Sequence, residues 1–319
     1  MTKYSIIIRC MNERRHLPRL LYGISQQTIN NFEIIAVDSG STDGTIEILN
    51  DHRIKTISLN PDSFSFGRSC NIGCKEAEGE IFIFVSAHAY PIYRTWLEEL
   101  IKPFCDPLVG ISYGKQRGNE SSNYSECQIF KSWYPDEDQS LQDHPFCNNA
   151  NNAIRRNLWE ELYFDEVLTG LEDIDFAKRA RDRNYKISYV AAAEVVHVHE
   201  EIFSAVFNRY RREALAYRTI FPHERLSGWQ IINLFFRNLK TDCSRAWAEN
   251  CFFQNLKDIL SFRLMQFCGT YLGMKQHGPV TDSLRQRFYY PNRSPVSHRS
   301  IDKIIDVNSI EYHKIFEND

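Results

Sequence analysis

Gly79-Glu80-Ile81-Phe82-Ile83-Phe84-Val85-Ser86-Ala87-His88-Ala89-Tyr90-Pro91 decides the fold. Five apolar residues in a row, Ile81 to Val85, are entered from a glycine and closed by a proline, which reads as a buried strand. In an open α/β sheet, ligands bind beyond the carboxyl ends of the strands. The polar turn Ser86-Ala87-His88 occupies that place, so its side chains are the first candidates for chemistry.

Upstream, strand and helix patterns alternate. Ser5 to Ile8 is strand-like and runs into the loop Arg9-Cys10-Met11-Asn12-Glu13. From about Arg15, Leu17, Leu20, Leu21 and Ile24 fall at helical spacing. Phe32 to Val37 is a second strand, followed by the turn Asp38-Ser39-Gly40-Ser41-Thr42-Asp43-Gly44-Thr45, where Thr42 or Asp43 can cap a helix over Ile46 to Asn50. Ile54 to Leu59 is a third short strand, and Phe66-Gly67-Arg68 opens a helix carrying Asn71. This βαβαβ order predicts an α/β domain with a mostly parallel, Rossmann-like central sheet flanked by helices. Neither G-x-G-x-x-G nor a Walker lysine loop follows the first strand, which weighs against dinucleotide oxidoreductases and P-loop enzymes.

The 319 residues are 43% hydrophobic and 25% charged, as in an ordinary globular chain. A formal net charge of −3 argues against a general nucleic-acid binder. Met1-Thr2-Lys3 leads straight into strand-like Tyr4 to Ile8 with no secretory pattern, so a cytoplasmic location is expected. No uncharged apolar run is long enough to span a bilayer. The nine cysteines contain no C-x-x-C pair; Cys70 and Cys74, four apart, suit a metal or, more simply, a helix face of small core thiols.

Several segments, in order, resemble the family-2 glycosyltransferases of the GT-A fold, most specifically Val37-Asp38-Ser39-Gly40-Ser41-Thr42-Asp43-Gly44-Thr45. With it go Ser5-Ile6-Ile7-Ile8 with Asn12-Glu13, Phe64 to Gly73, Ala77-Glu78-Gly79-Glu80, Ser86 to Pro91, Tyr113-Gly114-Lys115-Gln116, Asn149 to Arg156, Gly170-Leu171-Glu172-Asp173 and Val196-His197-Val198-His199. The likeness covers roughly residues 3 to 200 and is nearest to the bacterial rhamnosyltransferase-like branch of polysaccharide and O-antigen assembly. It implies an inverting enzyme that moves a sugar, a deoxyhexose such as rhamnose among the candidates, from a nucleoside-diphosphate donor to a glycan or lipid-linked acceptor.

The resemblance also assigns roles. Asp38, Ser41 and Asp43 would receive the base and ribose, for which carboxylates are suitable acceptors; the plain alternative is a turn and helix cap. Arg9, Asn12 and Glu13 would line the same pocket, although Arg9-Cys10-Met11 departs from the family opening. Arg68 and Asn71, at a helix start, would face the diphosphate; Asn71 could instead hold that helix in place. Glu172-Asp173 would be the acceptor-side pair, with Asp173 the general base and Glu172 orienting; the alternative is two acids stabilised by a helix dipole. At the end of the opening strand most of the family carries D-x-D, which holds Mg²⁺ or Mn²⁺. Ser86-Ala87-His88 lacks both carboxylates, which sets the divalent cation in question. His88 either ligates a transition-series ion with His197 or His199, or itself donates to the leaving phosphate, or marks a dead site. His197 and His199, two apart in a strand, face one side.

From about Phe203 the pattern becomes helical, and residues 204–275 hold 11 Lys+Arg against 5 Asp+Glu. Aromatics among cations suit the inner face of a membrane; a helical cap on the sheet or a homodimer interface are the alternatives. Residues 276–319, with Pro279, Pro291 and Pro295, read as an extended, loosely ordered tail after a catalytic unit at 1–202 and the helical extension at 203–275. Two rivals stay open: a sugar-1-phosphate nucleotidyltransferase, which normally opens with a glycine-rich loop absent here, and a non-catalytic glycan-binding subunit, against which Glu172-Asp173 speaks.

Overall fold

The computed structural model describes residues 3–140, 142–224, 226–276, 284, 289 and 308–312. In chain order the elements are β1 (Tyr4–Cys10), α1 (Leu17–Ser25), β2 (Phe32–Asp38), α2 (Thr45–Asp51), β3 (Lys55–Ser58), α3 (Phe66–Lys75), β4 (Ile81–Ser86) and β5 (Ala89–Pro91). There follow α4 (Trp96–Ile101), β6 (Val109–Arg117), α5 (Tyr124–Trp133), β7 (Asn151–Arg155), α6 (Arg156–Leu162), α7 (Glu172–Arg181) and β8 (Lys186–His197). Helices α8 (Phe203–Ile220), α9 (Gly228–Ala248) and α10 (Phe252–Lys275) complete the described elements.

The strands form one sheet in the order β3-β2-β1-β4-β7-β6-β8-β5. The first four are parallel, as the βαβαβ pattern requires. Beyond β4 the sheet is mixed: β7 runs against β4 and β6, and β5 against β8, while β6 and β8 are parallel. β1 and β4 are central and buried on both faces, which explains their unbroken apolar runs. Ile6, Ile8, Ile83 and Val85 face one core with α1 and α4; Ile7, Phe82 and Phe84 face the other, with α3, α6 and α7.

The opening stretch is thus two strands. β4 ends at Ser86, the chain turns through Ala87 and His88, and β5 pairs with the end of β8, Ala89 opposite His197. Cys70 and Cys74 are fully buried in the second core, as small thiols. Most of the expected tail lies outside the described residues, but its described part is docked. Ser309 bridges to Tyr93, Ile310 is buried, and the Tyr312 ring packs on Tyr22 and Tyr90.

The helical region packs closely. Gly269 and Gly273, one turn apart on α10, let it lie on the backbone of α8: a Cβ at these positions would stand 2.4 Å from the Phe207 carbonyl oxygen and 2.5 Å from that of Arg211. Arg263 of α10 donates to both oxygens of Asp242 of α9, at 2.7 and 3.0 Å, and Ser125 of α5 donates to the same carboxylate at 2.6 Å. A buried ion pair therefore joins α9 to α10, and the Ser125 hydroxyl ties that pair to α5, the helix that follows β6.

Candidate active site

The carboxyl ends of β1 and β4, the loop after β2, the end of β8 and the first turn of α7 open into one cleft of about 1570 Å³. One wall is acidic and the opposite one carries imidazoles.

On the acidic wall, Leu171 adopts a left-handed backbone (φ 56°) and launches α7 at Glu172. Such a conformation is costly for a branched residue and is held by its surroundings. The Asp173 carboxylate accepts from the backbone N–H of Ile174 at 2.8 Å and of Asn149 at 3.0 Å. Glu172 accepts from the Asn149 amide at 3.2 Å and from Arg9, at the end of β1, at 3.1 Å. Burial, and next the adjacent Glu172 charge, push the Asp173 carboxyl up to about 7. A buried acid with that shift at a cleft wall is a candidate for proton transfer near neutral pH. Of the Asn148–Asn152 run, Asn149 is the member that holds the pair.

On the other wall, three imidazoles converge. The β5–β8 pairing brings His88 beside His197, rings stacked at 5.0 Å between centroids, and His199 lies two residues beyond, its ring 4.1 Å from that of His197. His88 Nδ1 meets Glu13 at 2.9 Å, His197 Nδ1 meets Gln116 at 2.7 Å and His199 Nδ1 meets Glu126 at 2.7 Å. Glu126 is shared with Arg209 of α8 and is held down to about 2, against its own burial, by Arg209 and His199. Burial and its two histidine neighbours keep His197 well below the ordinary imidazole range.

Other expected residues fall elsewhere. Asn71 is buried and fully used: its amide donates to Phe164 and Glu166, and its oxygen accepts from Trp159 and the Phe164 N–H. It fastens α3 to the loop before α7 and does not face a diphosphate. Arg68 pairs loosely with Glu166 at 3.8 Å and is not among the described residues lining the cleft. Asp38 accepts from the N–H groups of Gly40 and Ser41 and from the Ser41 hydroxyl; Asp43 accepts from Thr45 and the Arg14 N–H. These acids and Ser41 shape the loop, and Ser39 is the member that lines the cleft. Asn12, also left-handed (φ 56°), locks this loop by accepting from the Thr42 N–H and giving its own N–H to Ser41.

Sequence reasoning missed Glu126, Gln116, Asn149 as a holder of the acids, and Arg209. Glu126 was readable in part: it shares a helix face with Ile129 and Phe130, an odd place for an acid. Gln116 sat in a segment of the resemblance but had no visible partner.

A sheet parallel in its first half and mixed beyond it, with one cleft at the carboxyl ends of its first strands, is the architecture of the GT-A glycosyltransferases. The model of the family described as Glycosyl transferase family 2 matches residues 5–163. The O-antigen chain rhamnosyltransferase RfbN of Salmonella typhimurium is 31% identical over 65% of this chain and 70% of its own length. WbaN of Salmonella anatum, also named as an O-antigen chain rhamnosyltransferase, is 28% identical over 59% of this chain and 64% of its length. Among solved structures, a mannosyltransferase of Pyrobaculum calidifontis in complex with GDP-Man and Mn²⁺ superposes with a TM-score of 0.59, at 16% identity, over 91% of this chain and 88% of that one. The chain belongs to glycosyltransferase family 2 and is a glycosyltransferase.

Proposed function

We propose that this chain transfers a sugar, with inversion, from a nucleoside-diphosphate donor to a hydroxyl of a surface-glycan acceptor. The observation that carries the reading is the buried Asp173, raised toward neutrality, across one cleft from the His88 cluster. Asp173 takes the acceptor hydroxyl's proton. The oxygen bonds to the anomeric carbon while the bond from that carbon to the diphosphate oxygen breaks, and its electron pair leaves with the diphosphate. Glu172, fixed by Arg9 and Asn149, orients the acceptor. The base and ribose lie against Asn12, Glu13 and Ser39, on the loop that Asp38, Ser41 and Asp43 hold in shape. The diphosphate lies against the His88 cluster, with Arg68 outside. The names of the two Salmonella relatives favour a deoxyhexose donor and an O-antigen-like acceptor. The test is a panel of nucleotide-sugars incubated with the purified chain and candidate acceptors. Release of nucleoside diphosphate that requires acceptor supports the reading; nucleotide binding with no turnover of any donor opposes it, and pyrophosphate-dependent formation of sugar-1-phosphate would favour the nucleotidyltransferase.

The acceptor is proposed to be met at an anionic membrane surface. No helix among the described residues is long and apolar enough to cross a membrane. On α9, Trp229 (69% exposed), Phe236 (61%) and Trp247 (62%) share one face with Lys240; on α10, Phe253 (81%), Leu260 and Leu264 share one face with Lys257. Large exposed aromatics with cations among them suit a headgroup layer. Flotation with phosphatidylglycerol vesicles should retain the wild type, and alanines at Trp229, Phe236, Trp247 and Phe253 should weaken retention at least about tenfold. Retention unchanged by those alanines, or a soluble dimer broken by them, contradicts membrane docking.

A further inference from the structure

The family resemblance brings Mg²⁺ or Mn²⁺ on carboxylates, and the donor set here does not fit Mg²⁺. The nearest carboxylates, Glu13 and Glu126, are turned to imidazole Nδ1 atoms. We propose instead that His88, His197 and His199 form a three-nitrogen site for a zinc-class ion (Zn²⁺, Co²⁺ or Ni²⁺).

The hydrogen bonds fix the tautomers. Glu13, Gln116 and Glu126 each offer an oxygen to an Nδ1, so each Nδ1 carries the proton. Each Nε2 is then left with its lone pair. The Nε2 atoms of His197 and His199 nonetheless face one another at 3.0 Å. Two lone pairs at that distance repel unless a cation sits beside both. One ring nitrogen from each of the three histidines lies within 4.8 Å of the others. A tetrahedral zinc-class ion bound at 2.0–2.1 Å spaces its nitrogen ligands by roughly 3.3 Å, so the 3.0 Å pair opens slightly and His88 closes in on it. Carboxylate or amide oxygens behind every Nδ1 are the usual support for imidazole ligands. Three nitrogens leave a further position open toward the cleft, where His88 is part-exposed and Ser86 Oγ lies 3.0 Å from its Nε2. A donor diphosphate oxygen would take that position; this last clause alone rests on the glycosyl-transfer reading. Imidazole donors rank these ions above Mn²⁺, and Mg²⁺ prefers oxygen.

The alternative is a shared proton: one ring doubly protonated and donating Nε2–H to the other. The two differ in what titrates with metal. Tag-free full-length chain, stripped with a chelator and titrated with Co²⁺, should bind one equivalent. It should show the intense visible ligand-field bands of a tetrahedral nitrogen site, displaced by Zn²⁺ and untouched by excess Mg²⁺. His199→Ala and His88→Ala should each weaken Co²⁺ binding by about 100-fold or more, and Glu126→Gln by about 10–100-fold. Folding of each variant is checked by circular dichroism, and His88→Ala, at a part-exposed turn, serves if the His199 variant fails to fold. Absence of stoichiometric Co²⁺ binding, a spectrum unchanged by His88→Ala, or equal competition by Mg²⁺ would overturn the site. Turnover that persists with chelator and no bound metal removes the metal and leaves the transferase. Tight Co²⁺ binding without turnover of any donor does the reverse.

Discussion

Asp173→Asn is expected to lower glycosyl transfer by about 10²–10⁴-fold without unfolding the chain. The amide keeps an acceptor for one of the two backbone N–H groups now held by the carboxylate, but it cannot take a proton. In the wild type, kcat/KM should rise with pH toward about 7 and level off above it, because the base works only when unprotonated. The stability effect has the opposite sense. An aspartate whose folded value lies above its unfolded one of about 3.9 binds its proton more tightly when folded. The stability that proton supplies is complete below about 4 and is lost as pH rises through about 7. An uncharged side chain escapes that loss. At pH 8 the variant should therefore melt at or above the wild-type temperature while being inactive. Thermal melts at pH 5 and 8 beside initial rates check this; a variant that melts well below wild type at pH 8 would mean that the carboxylate is structural.

Arg263→Leu is expected to cost about 3–5 kcal/mol, since it strands the Asp242 carboxylate in a buried place. For a chain of this size that is a fall in melting temperature of roughly 5–7 °C. The pair is nearly inaccessible, and Ser125 alone would remain as a partner for the charge. Arg263→Leu combined with Asp242→Leu should recover much of the loss, because removing both ions also removes their desolvation cost. The same cycle reports on activity. α8 supplies Arg209 to Glu126 behind His199, and α10 is the helix packed on α8. Loosening α9 and α10 should therefore reduce transfer as well as stability, which initial rates below the melting transition would reveal. A destabilised variant with full activity would show that the helical region does not support the site.

Much of the architecture could be read from residues because it is written locally. Ile6 to Ile8 and Ile81 to Val85 are apolar without interruption since both faces of those strands are covered. Glu172-Asp173 was legible because two acids at a helix start, followed by Ile174 and Ala177, form a short motif. His197 and His199 were legible as a pair, but their meeting with His88 depends on the antiparallel β5–β8 ladder, a long-range pairing that no periodicity reveals. Asn71 and Arg68 were misplaced for a related reason: the groups that use them, the backbone of Phe164 and the carboxylate of Glu166, lie far off in sequence. The reversal of β7 was equally silent, since Asn151 to Arg155 is too short and polar at its start to announce its direction.

The anomeric outcome of a single transfer tests the central claim most directly. A deuterated buffer and proton NMR of the reaction mixture, followed from the first turnovers, reports the configuration of the new glycosidic bond against that of the donor. A single displacement with Asp173 as base gives a product of inverted configuration, formed about 10²–10⁴-fold more slowly when Asp173 is asparagine. A product that retains the donor configuration, or inverted product formed at the wild-type rate by Asp173→Asn, would contradict it.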